Sequence, residues 1–274
     1  MGLRINQNIA ALNAHRNLSI TDNQMGKSLE KLSSGFRINR AADDAAGLAI
    51  SEGLRAQVGG LKVAVRNAQD GVSVVQTAEG ALTEVHAILQ RVRDLTVQAS
   101  NAGAVNADAR GYIGGEITQL SEALSDIAAR TDFNGTKLLD ADKTLTFQTG
   151  ANGGETVDVD LTGITAVATA IATVGTNVTG AGPTAADFTS IDTQIKAVSS
   201  ARATLGASQN RFESTINSLN VAVENLSASE SRVRDADMAQ EMVGFTRAQI
   251  LSQAGTAMLA QANQASQGVL SLLR

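Results

Sequence analysis

Between Leu54 and Val92, apolar side chains return at alternating steps of four and three. They are Leu54, Val58, Leu61, Val65, Ala68, Val72 and Val75, then, after one short step, Ala78, Leu82, Val85, Leu89 and Val92. That spacing holds one stripe on one face of a helix and is the seam of a coiled coil. A helix opened near Asp43 and closed near Asn101 would run on the order of 85 Å at the α-helical rise. Few globular domains need a helix of that length.

Four further stripes complete the pattern. Ile113, Ile117, Leu120, Leu124 and Ile127 form a shorter one, ended by the turn signal DFNG at Asp132 to Gly135. Ile191, Ile195, Val198, Leu205, Phe212, Ile216, Leu219, Val223, Leu226 and Val233 share one heptad phase, with Arg202, Gln209 and Glu230 at the in-phase positions between them. Polar residues of that kind loosen a seam but can fix its register. The chain ends supply the last pair: Ile5, Ile9, Leu12, Met25, Leu29, Leu32 and Phe36 on one side, Leu251, Met258, Ala262, Ala265, Val269 and Leu272 on the other. Both are apolar stripes in want of a partner, since a short helix is marginal alone in water.

Composition agrees with thin helical packing. Aromatics make up 3% of the chain and Trp is absent, so Ala, Leu, Ile, Val and Met must fill the core that aromatics usually dominate. The absence of Cys excludes a disulfide framework and thiol chemistry. A net charge of -5 excludes a broad basic footprint, so no nucleic-acid partner is expected. No cleavable signal peptide is expected, because the longest apolar stretch near the start, Ile9 to Leu12, is too short for one.

The middle of the chain differs in kind. Asp140 to Asp192 holds seven acidic residues and one Lys, and Thr144 to Leu161 alternates around a Gly-rich turn, which reads as a β-hairpin. Leu161 to Ala186 carries no charge and exceeds the roughly 20 residues that cross a bilayer. Thr and Gly punctuate it throughout, so a solvent-exposed loop or short strands are expected there, and no membrane partner. The whole is expected to be mainly α: a long antiparallel coiled-coil-like helical bundle with a small β-hairpin region and its termini together at one end. A hairpin of helices would put the β region at the far end.

Little in the sequence suggests catalysis. His15 and His86 lie on different helices, and no HExxH, GxSxG or phosphate-cradling motif occurs; the Gly114–Gly115 pair lacks the downstream GK[ST] of a Walker loop. No enzyme activity, metal or cofactor is expected. The best site-like cluster is SGFRINRAADDAAGLAI, Ser34 to Ile50. Adjacent helical residues point about 100° apart, so Asp43 and Asp44 cannot both face one ion. Acids opening one helix and cations closing another suit the two macrodipoles. Gly35, Arg37, Arg40, Asp43 and Asp44 therefore read as an inter-helix joint. Arg91 and Asp94, in LQRVRDLTVQ, read as a surface ion pair.

These segments resemble the bacterial flagellins. The resemblance rests on INQNIAALNAHRNL (Ile5 to Leu18), LEKLSSGFRINRAADDAAGLAISEGLR (Leu29 to Arg55), NAQDGVSVVQTAEGAL (Asn67 to Leu82), TDFNGTKLL (Thr131 to Leu139), the FQTGANGGETV hairpin and QANQASQGVLSLLR (Gln261 to Arg274). It implies a secreted, extracellular subunit that self-assembles into the flagellar filament for motility. Residues 1–42 and 236–274 would be inner-tube helices, 43–161 and 187–235 a helical core with the hairpin at 144–161, and 162–186 a short variable surface insertion. Ile5, Ile9, Leu12, Met258, Val269, Leu270, Leu272, Leu273 and Arg274 would make inter-subunit contacts of the inner tube. The resemblance further implies as partners other copies of the chain, a type III export chaperone, the filament cap protein and the hook-filament junction protein. Toll-like receptor 5 would contact Gln90, Arg91, Asp94, Leu95 and Glu116, and NAIP-type receptors the apolar tail. A hook-filament junction protein of the same apparatus is the alternative reading.

Overall fold

The computed structural model describes the backbone of residues 7–272 and side chains through residue 264. Six helices and four short strands occur among the described residues. They are α1 (Ile9–Ser34), α2 (Ala45–Ala99), α3 (Ala107–Arg130), β1 (Asp132–Phe133), β2 (Thr136–Lys137), β3 (Lys143–Gln148), β4 (Thr156–Leu161), α4 (Thr165–Thr179), α5 (Ala185–Arg234) and α6 (Met238–Leu272). The expected span from Asp43 to Asn101 is thus the 55-residue α2. No described helix is long and apolar enough to cross a membrane. The chain divides into two compact units, Met1–Gln57 with Asn225–Arg274 and Val58–Glu224.

The Val58–Glu224 unit holds the main core. Along α2, Ala68 and then every stripe residue from Val75 to Val92 is fully buried: Val75, Ala78, Leu82, Val85, Leu89 and Val92. Ile117 and Leu124 of α3 and Ile191, Val198, Leu205 and Phe212 of α5 bury the matching stripes. Gly71 of α2 leaves room for the Phe212 ring, which meets Phe147 of β3 edge-on at 5.5 Å. Three elements lock at that point. Ion pairs Arg93–Asp192 (2.8 Å) and Arg202–Glu79 (3.6 Å) lie in antiparallel register between α2 and α5, so the in-phase Arg202 reaches a partner rather than breaking the seam.

Local rules set the element ends. Asn106 caps α3 by accepting the Ala109 amide at 2.8 Å, and Asp108 and Arg130 sit at the dipole-favoured ends. Asn134 (φ 48°) and Gly135 (φ 79°) form the two-residue turn of the β1–β2 hairpin, where both residues need positive φ. In the β3–β4 hairpin Val157, Val159 and Leu161 face inward while Asp158 and Asp160 face water.

Two expectations are corrected here. The segment expected as a loop or short strands contains the helix α4, with Val167, Ala168, Ile171, Val174, Gly175 and Val178 buried. Thr and Gly argue against a helix in isolation, but here both are accommodated. Thr169, Thr173 and Thr176 donate their hydroxyls to carbonyls one turn back. Gly175 and Gly114 let α4 approach α3 so closely that a Cβ on Gly114 would stand 2.9 Å from the Gly175 carbonyl. The charge-free stretch is a covered helix face. The β3–β4 hairpin, expected at the far end, instead folds back along α2: Asn67 donates to the Gln148 carbonyl at 3.0 Å, and Ala151 packs on Gly60.

In the other unit α1 and α6 pair antiparallel. Asn8 donates to the Ala262 carbonyl (2.8 Å), Ser252 to Asp22 (3.0 Å), and Lys31 faces Glu241 (3.8 Å). Gly255 passes close to Leu18. The two helices are partners on one face, where Met25, Leu32 and Ala262 of the terminal stripes are half-buried, while Ile9, Leu12, Leu29, Leu251 and Met258 stay open.

Candidate assembly and recognition surfaces

The joint is a closed turn. Gly35, in the left-handed region (φ 75°), ends α1 and donates to the Lys31 carbonyl at 2.8 Å. The next residues pair with the α5–α6 link: Arg37 N–H donates to the Arg234 carbonyl (2.7 Å) and Ala236 N–H to the Gly35 carbonyl (2.9 Å). Arg37 therefore does not close α1, as the sequence suggested. Its guanidinium donates to the Val233 carbonyl at 2.7 Å, neutralising the C-terminus of α5 instead. Arg40 reaches back to Glu30 in α1 at 2.7 Å.

The two aspartates have separate tasks. Asp44 accepts the Gly47 amide at 2.8 Å and caps α2, while Asp43 accepts the Arg40 (3.0 Å) and Asn39 (3.2 Å) amides and holds the turn. The Arg40 amide holds the Asp43 carboxyl below the usual carboxylate range; slight burial opposes this, and the Asn39 amide, Lys27 and Lys31 add to it. Ile38, which the sequence reading passed over, is the buried plug of the turn. Arg234 stacks on Phe36 (4.7 Å) and pairs with Glu52 (2.8 Å). No group of three or more His, Asp or Glu among the described residues could hold a metal.

The second surface lies on α2 and α3. Arg91 does not pair with Asp94 along its own helix. Its guanidinium makes two bonds, 3.0 and 2.7 Å, to one carboxylate oxygen of Glu116 on α3. Gln90 lies 3.0 Å from His86, and Gln90, Arg91, Asp94 and Glu116 are exposed. Leu95 is 2% exposed and lies in the core, so this surface does not present it. His15 is exposed on α1.

The third surface is the outer side of the α1–α6 pair. Ile9 (54% exposed), Leu12 (65%) and Met258 (67%) stand open where the sequence placed contacts. Ile5, Leu273 and Arg274, and the side chains of Val269, Leu270 and Leu272, lie outside the described residues. The structure adds a shallow apolar groove on α6, lined by Met242, Val243, Thr246, Arg247, Ile250 and Leu251. Only Leu251 of these fell on the heptad stripe; the others repeat at three to four residues and could have been found by a second pass for a parallel stripe.

The helical pair at the termini thus keeps an uncovered apolar side. The model of the bacterial flagellin N-terminal helical region matches residues 5–144, and that of the C-terminal helical region matches residues 188–273. The chain belongs to the bacterial flagellin family. A flagellin from Halalkalibacterium halodurans is 54% identical over 271 residues, spanning 98% of this chain and 99% of that protein. A flagellar filament 33 kDa core protein from Treponema phagedenis is 46% identical over 285 residues, spanning 98% and 99%. A Vibrio parahaemolyticus protein described as a flagellar hook-associated protein aligns over 71% of this chain and 97% of its own, with TM-score 0.50 and 14% identity, a likeness of fold alone. The flagellins and filament core proteins share sequence with this chain across nearly its whole length, so the hook-associated alternative falls behind.

Proposed function

We propose that this flagellin is the structural subunit of an extracellular flagellar filament, and that its uncovered α1–α6 face is what copies bury in one another. Family membership supports the first part; the second rests on one observation, the apolar side chains left open on a helix pair whose other face is already used. Ten such side chains on α1 and α6 are about half exposed, among them Ile20, Leu29, Ile250 and Met258. Burying the remaining half of each would contribute on the order of 1 kcal/mol per side chain before the cost of association. Contacts between unlike faces whose rotation does not close a ring give an open helical fibre.

The segmental roles follow from the same reading. Residues 1–42 and 236–274 form the inner tube, with Ile5 and the tail from Val269 to Arg274 among its contacts. The export chaperone, the cap protein and the hook-filament junction protein act on the chain before and during assembly. Exposed Gln90, Arg91, Asp94 and Glu116 form the receptor-5 surface, with Arg91 and Glu116 prearranged as a pair; the tail serves NAIP-type receptors.

Seeded polymerisation followed by electron microscopy tests the assembly. Removing the last ten residues should stop elongation while the Val58–Glu224 unit keeps its helical signal. Normal filaments from the truncated chain would refute the reading. For the receptor surface, a reporter-cell assay should lose response with Arg91→Ala.

A further inference from the structure

All five methionines of this chain lie in the terminal unit: Met1, Met25, Met238, Met242 and Met258. The 58–224 unit has none, although Met is a common filler of irregular cores. With no Cys in the chain, these thioethers are its only sulfur. Three stand open on α6: Met238 is 46%, Met242 50% and Met258 67% exposed, and Met242 lines the apolar groove. Met25 is partly buried, and Met1 lies outside the described residues.

We propose that Met238, Met242 and Met258 are an oxidation site that switches the subunit between assembly-competent and assembly-incompetent forms, the reactant being a peroxide. This rests on the filament reading, with a second copy of the chain as the occupant of the α6 face. A peroxide transfers one oxygen to the thioether: the O–O bond breaks, an S–O bond forms, sulfur gives up two electrons, and hydrogen peroxide leaves as water. The product is a polar sulfoxide on a flexible side chain that was apolar. Burial against a neighbouring copy then strands a strong acceptor without a donor. Each buried sulfoxide raises the critical concentration for assembly about tenfold. The free subunit is the vulnerable form, because assembly covers the sulfurs; filaments already formed resist the same treatment.

The test oxidises the full-length monomer with dilute hydrogen peroxide, removes the oxidant, maps added oxygen by peptide mass spectrometry and measures elongation from untreated seeds. The expected result is oxygen on the three α6 peptides, loss of elongation, and recovery after treatment with the two methionine sulfoxide reductases, one for each epimer. A triple variant M238L/M242L/M258L keeps the volume and apolarity and should elongate equally before and after peroxide. Oxidised wild type that elongates at the untreated rate, or a triple variant that loses elongation as much as wild type, overturns the proposal. Should the untreated variant not elongate, reductase treatment of the wild type decides: recovery supports the site and no recovery refutes it. Failure of untreated wild type to extend seeds would instead refute the filament reading.

Discussion

Replacing Gly71 with Ala sets two known effects against each other in one helix. In the interior of α2, Ala should gain about 1 kcal/mol over Gly from helix propensity. At Gly71, however, the new Cβ would lie 2.6, 2.9 and 3.0 Å from three atoms of the Phe212 ring, inside the ordinary 3.5–4.0 Å separation of carbon atoms. The ring has little room to yield. Phe212 is fully buried and braced by the Phe147 edge contact at 5.5 Å. Overpacking of this kind costs about 1–3 kcal/mol, so after the propensity gain the net effect should be a loss of up to about 2 kcal/mol. In a unit of this size that lowers the melting temperature by up to about 8 °C. Gly80 lies in the same helix with nothing within 4 Å of its would-be Cβ, so Gly80→Ala should instead raise it by about 2–3 °C. Scanning calorimetry of the monomer reads both. If Gly71→Ala stabilises as much as Gly80→Ala, the lock between α2, α5 and β3 is not there. Combining Gly71→Ala with Phe212→Leu should show a favourable coupling, because the smaller side chain relieves the clash.

Gly114→Ala should detach α4, since its Cβ would collide with the Thr179 hydroxyl and approach the Gly175 carbonyl at 2.9 Å. Amide exchange in Thr165–Thr179 should accelerate while that in α2 is unchanged. Asp187 is 4% exposed and accepts from Asn177 (2.7 Å) and from the Thr184 amide (2.7 Å) and hydroxyl (2.8 Å), capping α5 and tying it to α4. Asp187→Ala should cost about 2–3 kcal/mol, because it strands those donors, as a chemical-denaturation curve would show. Burial pushes the Asp187 carboxyl up, but the Asn177 and Thr184 donors outweigh it and leave the group below its ordinary value. Between the folded and unfolded values the unfolded chain binds more protons. The contribution is therefore complete above about pH 4 and is lost as the pH falls through the folded value. Asp187→Asn should lack that acid-side slope.

The helices were legible wherever one apolar stripe persisted over many turns, because a 3.5-residue repeat has no other way to bury its apolar side. The sequence by itself therefore determined α2, α3 and α5, the alternating β3–β4 hairpin, the DFNG turn and the joint after α1. It also named the family through motifs spread over both ends. It misjudged α4, where Thr and Gly hide a helical period of buried Val, Ala and Ile. Those residues become helical only against α3, where two glycines permit close approach and intrahelical carbonyls take up the hydroxyls. Partner choice likewise belonged to the tertiary structure. Arg91 selects Glu116 over Asp94, Arg37 serves the end of α5 rather than α1, and Leu95 turns inward. Charge order along a chain says which helix ends favour an ion, but a long side chain can reach several ends and carboxylates. Only the packing of neighbouring helices decides which of them lies within 3 Å.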